Sequence, residues 1–103
     1  MGKADVIENI KKYSAELRKQ IKFKKIILFG SFAKGTAHKD SDIDIAIIVD
    51  NFPGDFLTIT PALWKLASEI DSRIEPILIE EGNDDSGFLE SITKYGETIY
   101  DRN

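Results

Sequence analysis

The sequence predicts a small α+β domain: a mixed β-sheet of three to four strands, with helices packed mainly on one face. Three observations carry that reading. The chain has 103 residues, 42% of them hydrophobic and 31% charged, which is the size and balance of one globular domain. Its apolar pattern alternates between helical spacing and short continuous runs, in the order helix, strand, turn, strand, helix, strand, helix. Pro76 sits in the third run, where a missing N–H suits an edge strand.

Val6, Ile7, Ile10, Tyr13, Leu17 and Ile21 recur with the helical period, predicting an amphipathic helix over 4–21. Ile26-Ile27-Leu28-Phe29 is a buried strand closed by Gly30. Ser31 is placed to cap a short helical turn ending near Gly35, and Thr36 to Ser41 forms a polar loop. Ile43 to Val49 is the second strand, followed by a turn at Pro53-Gly54. Thr60-Pro61 reads as an N-cap with proline at the first helical position, opening a helix whose inner face is Leu63, Leu66, Ala67 and Ile70. Ile74 to Ile79 is the third strand, and Glu80 to Ser86 an acidic loop. Phe88, Leu89, Ile92 and Tyr95 mark a closing helix stopped by Gly96, and Ile99-Tyr100 adds a short edge strand. Residues 1–103 are read as a single domain.

Composition excludes several classes of function. The chain has no cysteine, so disulfides and thiolate metal sites are out. No apolar run reaches the roughly 18 residues of a membrane span. The first residues have charges throughout and no continuous apolar stretch of a secretory signal, so a cytoplasmic location is the expectation. The net charge of −4 argues against nucleic acid as a stable partner. Charge is unevenly spread. Residues 1–39 hold ten Lys/Arg against three Asp/Glu, and residues 40–103 hold four against fifteen. Such asymmetry either steers a charged partner or reflects a lysine-rich solvated helix.

The chemistry concentrates between Phe29 and Asp50, in FGSFAKGTAHKDSDIDIAIIVD. A strand that ends in Gly30-Ser31 and turns into a helical start presents backbone N–H groups and a hydroxyl to an anion. Glycine at 30 lets a phosphate come close to the backbone. The next strand opens with Asp42-Ile43-Asp44, and strand alternation puts both carboxylates on one face. Two close carboxylates repel unless a cation lies between them. Mg²⁺ prefers one or two carboxylates completed by phosphate oxygens and water. Glu75 is the only acid within the third apolar run, placed to complete a metal site or to take a proton from an attacking hydroxyl.

This pattern resembles the nucleotidyltransferases of the DNA polymerase β-like superfamily, whose signature is Gly-Ser, ten residues, then Asp-x-Asp. Here Gly30-Ser31 is followed by residues 32–41 and then Asp42-Ile43-Asp44. The size is similar to the minimal, stand-alone members, many of which are encoded beside a HEPN-domain protein. The resemblance implies a nucleotidyltransferase fold and a Mg²⁺-dependent enzyme using two metal ions. It would move NMP, with AMP expected from ATP, onto an acceptor hydroxyl. The expected acceptor is a tyrosine of a HEPN-type toxin, which makes this chain the antitoxin. It implies nucleotide binding by Gly30, Ser31, Lys34 and Ser41, and places Asp42, Asp44 and Glu75 as catalytic residues and metal ligands. Two positions depart from the family pattern. Lys34 stands where relatives often carry arginine, giving a point charge in place of a bidentate fork. Glu75 stands where many have aspartate.

Other readings stay open at this level. Catalysis can be lost on a retained fold, leaving a module that neutralises a partner by covering it. Transfer to a small molecule such as an aminoglycoside is a weaker third, since those relatives are longer. Glu75 could pair with Arg73, two residues away on the same strand face. His38 reads as a solvated loop residue, Trp64 as core or partly buried, and Tyr95 and Tyr100 as packing near the C-terminus. The acids between 80 and 85 lack EF-hand spacing and read as a solvated loop. Finally, Ala46 and Ile48 share the face of Asp42 and Asp44, and Ile77 and Ile79 share that of Glu75. With helices only on the opposite face, this apolar area is left open for a protein partner or a second copy of the chain.

Overall fold

The computed structural model describes residues 2–38, 40–50, 54–83 and 87–102. Helix α1 (Lys3–Leu17) opens the chain, and the Asp5 carboxylate accepts from the Gly2 N–H at 3.1 Å. The helix stops four residues short of Ile21. Ile21 still packs against the core from the following turn, which is why it extends the periodicity without extending the helix. Strand β1 (Lys25–Phe29), the single-turn helix α2 (Ser31–Lys34) and strand β2 (Ile43–Val49) follow. The cap of α2 is Gly30, not Ser31, which is the first helical residue; Gly35 closes the turn in the left-handed conformation. Of the expected turn at Pro53-Gly54, Pro53 lies outside the described residues.

Helix α3 (Phe56–Ile70) begins well before Thr60-Pro61. Asp55 is its cap, accepting from the Leu57 N–H at 2.9 Å, and Pro61 falls inside the helix. Proline there has no N–H for the Leu57 carbonyl, a loss tolerated because this end of the helix faces water. The Thr60 hydroxyl donates to the Phe56 carbonyl at 2.6 Å instead of capping. Strand β3 (Ile74–Glu80), a 3₁₀ turn over Glu81–Asn83, helix α4 (Phe88–Tyr95) and strand β4 (Glu97–Asp101) complete the fold. Residues 84–86 of the expected acidic loop lie outside the described residues.

Among the described residues the four strands form one mixed sheet in the order β3-β2-β1-β4. β1 is antiparallel to both neighbours, and β2 and β3 are parallel, joined through α3. Pro76 is on an edge strand, as its missing N–H requires. The two long helices cover one face. Val6, Ile10, Tyr13 and Leu17 of α1 and Leu63, Leu66 and Ala67 of α3 pack on Ile26, Leu28, Ile43, Ile45 and Ile47. The Tyr13 hydroxyl donates to the Leu63 carbonyl at 3.1 Å, fastening the two helices together.

The opposite face is not left open as expected. Helix α4 crosses it, and Ile92 and Leu89 form a second, smaller cluster with Ile27, Ala46 and Ile48. Ala46 and Ile48 are fully buried, while Ile77 and Ile79 are half-buried at the β3 edge. The uneven charge is also partly consumed within the fold. Lys3 pairs with Glu97 at 2.9 Å, and Lys24 with Glu81 at 3.1 Å and Asp50 at 3.7 Å, each joining the basic half to the acidic half.

Candidate active site

The site lies on the α4 face, where β1 ends and β2 and β3 begin. β1 runs into Gly30, whose φ of 75° and ψ of −151° turn the chain sharply. A Cβ here would run into the Asp44 carboxylate. Glycine therefore does two things at this position: it takes up a conformation that L side chains avoid, and it leaves room for a carboxylate against the backbone. No side chain caps α2, so its first N–H groups remain for an outside acceptor. The Lys34 N–H bonds the Gly30 carbonyl at 3.1 Å and the Thr36 N–H bonds that of Ser31 at 3.0 Å, which shapes the loop.

Strand register gathers the acids. Phe29 pairs with Asp44 across β1 and β2, and Asp44 pairs with Glu75 across β2 and β3. One row thus runs from the residue before Gly30, through the second aspartate, to Glu75. Asp42 precedes β2 by one residue, on the same face as Asp44. The pKa of Glu75 is raised, first by desolvation and then by the charges of Asp42 and Asp44 and hydrogen bonds to both. The two aspartates are close enough to disfavour the charge of Glu75.

Among the described residues, no three acidic or imidazole side chains are gathered tightly enough to hold an ion as they stand. The donor set nevertheless suits a hard divalent cation. It is all carboxylate oxygen, it is mutually repulsive, and it opens beside a loop suited to phosphate, whose oxygens would complete the coordination.

The other sequence-based residues separate by role. Lys34 is exposed at the end of α2 and lines a cavity shared with Gly30. The Ser41 hydroxyl accepts from the His38 N–H at 2.9 Å, shaping the loop before Asp42, and His38 is exposed. Arg73 is held by Asp71, not Glu75: Nε donates to Asp71 Oδ1 at 3.0 Å and an Nη to Oδ2 at 2.7 Å. Its guanidinium lies 5.9 Å above the Phe32 ring, and its carbonyl accepts from the Ile43 N–H at 2.8 Å. This Asp71–Arg73 clamp, which the sequence reading missed, joins α2 to the starts of β2 and β3. An aspartate two residues before the arginine, in the turn rather than the strand, was the available signal. Trp64 is 42% exposed, beside the α3 stripe and not within it. Tyr100 packs its ring on Phe23 at 5.0 Å, whereas Tyr95 is 66% exposed.

Comparison with known proteins agrees with this fold. Residues 8–103 match the family described as Polymerase beta, Nucleotidyltransferase. A candidate protein adenylyltransferase of Methanocaldococcus jannaschii, MJ0141, is 32% identical over 101 residues, covering 92% of this chain and 99% of that protein. The protein adenylyltransferase MntA of Shewanella oneidensis is 38% identical over 58 residues, 52% of this chain and 35% of its own length. Among solved structures, a candidate nucleotidyltransferase from Sulfolobus solfataricus superposes with a TM-score of 0.72 at 18% identity, covering 97% of this chain and 84% of that one. A toxin–antitoxin complex with AMP-PNP contains a chain that superposes with a TM-score of 0.67 at 28% identity, covering 94% and 74%. With residues 8–103 matched, nearly its whole length, the chain belongs to the polymerase β-type nucleotidyltransferase family.

Proposed function

We propose that the chain is a Mg²⁺-dependent adenylyltransferase that moves AMP from ATP to a tyrosine hydroxyl of a HEPN-type toxin, and so acts as an antitoxin. The observation that carries this reading is the register row that sets Asp44 beside the Gly30 turn and opposite Glu75. It is supported by relatives named as protein adenylyltransferases, one matched over almost its full length, and by the similarity to a chain of a toxin–antitoxin complex with AMP-PNP.

In this mechanism Gly30 and Ser31 bind the β- and γ-phosphates through backbone N–H groups and the serine hydroxyl, and Lys34 adds a positive charge. Asp42, Asp44 and Glu75 would hold two Mg²⁺ ions. Bound there, the ions supply charge neutralisation at the α-phosphate and at the leaving pyrophosphate. A Glu75 carboxylate oxygen takes the proton of the acceptor hydroxyl. The hydroxyl oxygen forms a bond to the α-phosphorus, the bond from that phosphorus to the bridging oxygen breaks, and pyrophosphate departs. The chain's own contribution is alignment and electrostatics, with no covalent intermediate.

The test is incubation with Mg²⁺, α-labelled ATP and a lysate of the source cells, with Asp44→Asn and a metal-free sample as controls. A labelled protein band that vanishes in both controls is the expected result. Label that persists in Asp44→Asn would defeat the proposal.

A further inference from the structure

A cavity of about 240 Å³ opens beside the row of acids, between β1 and α4. Phe29, Phe88 and Ile92 contribute its apolar walls, while Gly30 and Lys34 line it from the side of the phosphate turn. The rings of Phe29 and Phe88 meet edge to face, 5.7 Å between centroids and 89° between planes. We propose that this cavity receives the nucleobase of the donor nucleotide; the inference rests on the nucleotidyl-transfer reading and deepens it.

Size, chemistry and position support one occupant. Pockets that enclose a whole drug-sized ligand run from about 300 Å³ upward, so this cavity suits a single ring system and leaves the phosphates outside. Its aromatic walls offer the faces and edges on which bases stack. Phe88 is 41% exposed, so folding alone leaves much of that ring in water. Lys34 places a cation at the same cavity. A flat apolar group joined to an anionic chain satisfies both ends, whereas a purely apolar occupant would satisfy one. Gly30 belongs to the cavity and to the turn beside Asp44, so base and triphosphate would share one continuous surface.

Binding of ATP and of tripolyphosphate, both with Mg²⁺, separates base from phosphate recognition. Phe88→Ala removes an aromatic wall, and Ser91→Phe fills the cavity from the exposed side of α4 without touching the core. The expected result is an ATP affinity lowered about ten-fold in each variant, with tripolyphosphate affinity unchanged. Unchanged ATP affinity in both variants, with transfer to the acceptor impaired, would make the cavity an acceptor site and overturn the proposal. A wild-type chain that binds ATP no more tightly than tripolyphosphate would overturn the pocket assignment alone. Failure to bind either would overturn the nucleotidyl-transfer reading with it.

Discussion

Asp44 stands directly opposite Glu75 in the parallel pairing of β2 and β3, and the Gly30 turn closes over the same carboxylate from the other side. Three elements converge on one side chain, so its charge is the most informative to remove. Asp44→Asn keeps the shape and removes a proposed metal ligand and a source of repulsion on Glu75. Transfer of labelled AMP should fall by a factor on the order of 10²–10³. Mg²⁺ should raise the melting temperature of the wild type and not of the variant. Binding to a protein partner should persist. If protection of the partner also persists in full, the chain acts by covering its target and not by modifying it.

Gly30 and Gly35 both have positive φ, 75° and 77°, but their surroundings differ. A Cβ at 35 meets open space, while at 30 it strikes Asp44. Gly35→Ala should cost about 1–2 kcal/mol of stability from backbone strain alone and leave transfer largely intact. Gly30→Ala should cost at least as much in urea unfolding and also reduce transfer more than ten-fold, because Asp44 must move. Equal activity in the two variants would mean that the close approach of Gly30 to Asp44 does not shape the site.

The two aspartates were legible in the sequence because they are local. Asp42 and Asp44 are two apart in a strand whose alternation is clear, so β2 was bounded at Ile43–Val49 from pattern alone. The start of α3 was not. Thr60-Pro61 is a strong local signal, but Asp55 outcompetes it with a side chain already bonded to the Leu57 N–H, and the helix carries its proline inside. Face assignment failed for a different reason. The period of α4 shows that Leu89 and Ile92 are inward, yet not which side of the sheet they meet. That depends on how the chain returns from the β3 edge to β1, a tertiary property. Phe88 was accordingly read only as one mark of the closing helix, although it lines the cavity beside Gly30.

Tyr13 is fully buried, and its hydroxyl is bonded to the Leu63 carbonyl. Tyr13→Phe should destabilise the chain by about 1 kcal/mol, read by urea unfolding, because the hydroxyl loses its bond while the ring still fills its place. Burial pushes the pKa of this phenol well above its ordinary value of 10.0. An unfolded phenol ionises near that value, so the folded chain holds a proton that the unfolded chain releases. Stability is full below the ordinary pKa and declines as pH rises above it. Of the three tyrosines, Tyr13 should show phenolate absorbance only as the chain unfolds.

Asp71 carries the opposite sign. Hydrogen bonds from the Arg73 side chain, then the Arg73 backbone and Asn9, hold its pKa at about 2 against an ordinary 3.8, despite some desolvation. Its stabilisation is present above the unfolded value and is lost as pH falls from about 4 through about 2. The size is roughly 2 kcal/mol at most, for a side chain only 9% exposed. Urea unfolding between those pH values should show this decline in the wild type and a flatter profile in Asp71→Asn. The clamp also reaches the site, since Arg73 lies over Phe32 and its carbonyl fixes Ile43 between the two aspartates. Asp71→Asn should therefore lower transfer several-fold even at neutral pH, where the chain remains folded. A variant that loses stability at pH 7 while keeping full transfer would confine the clamp to holding α1, α2 and β3 together.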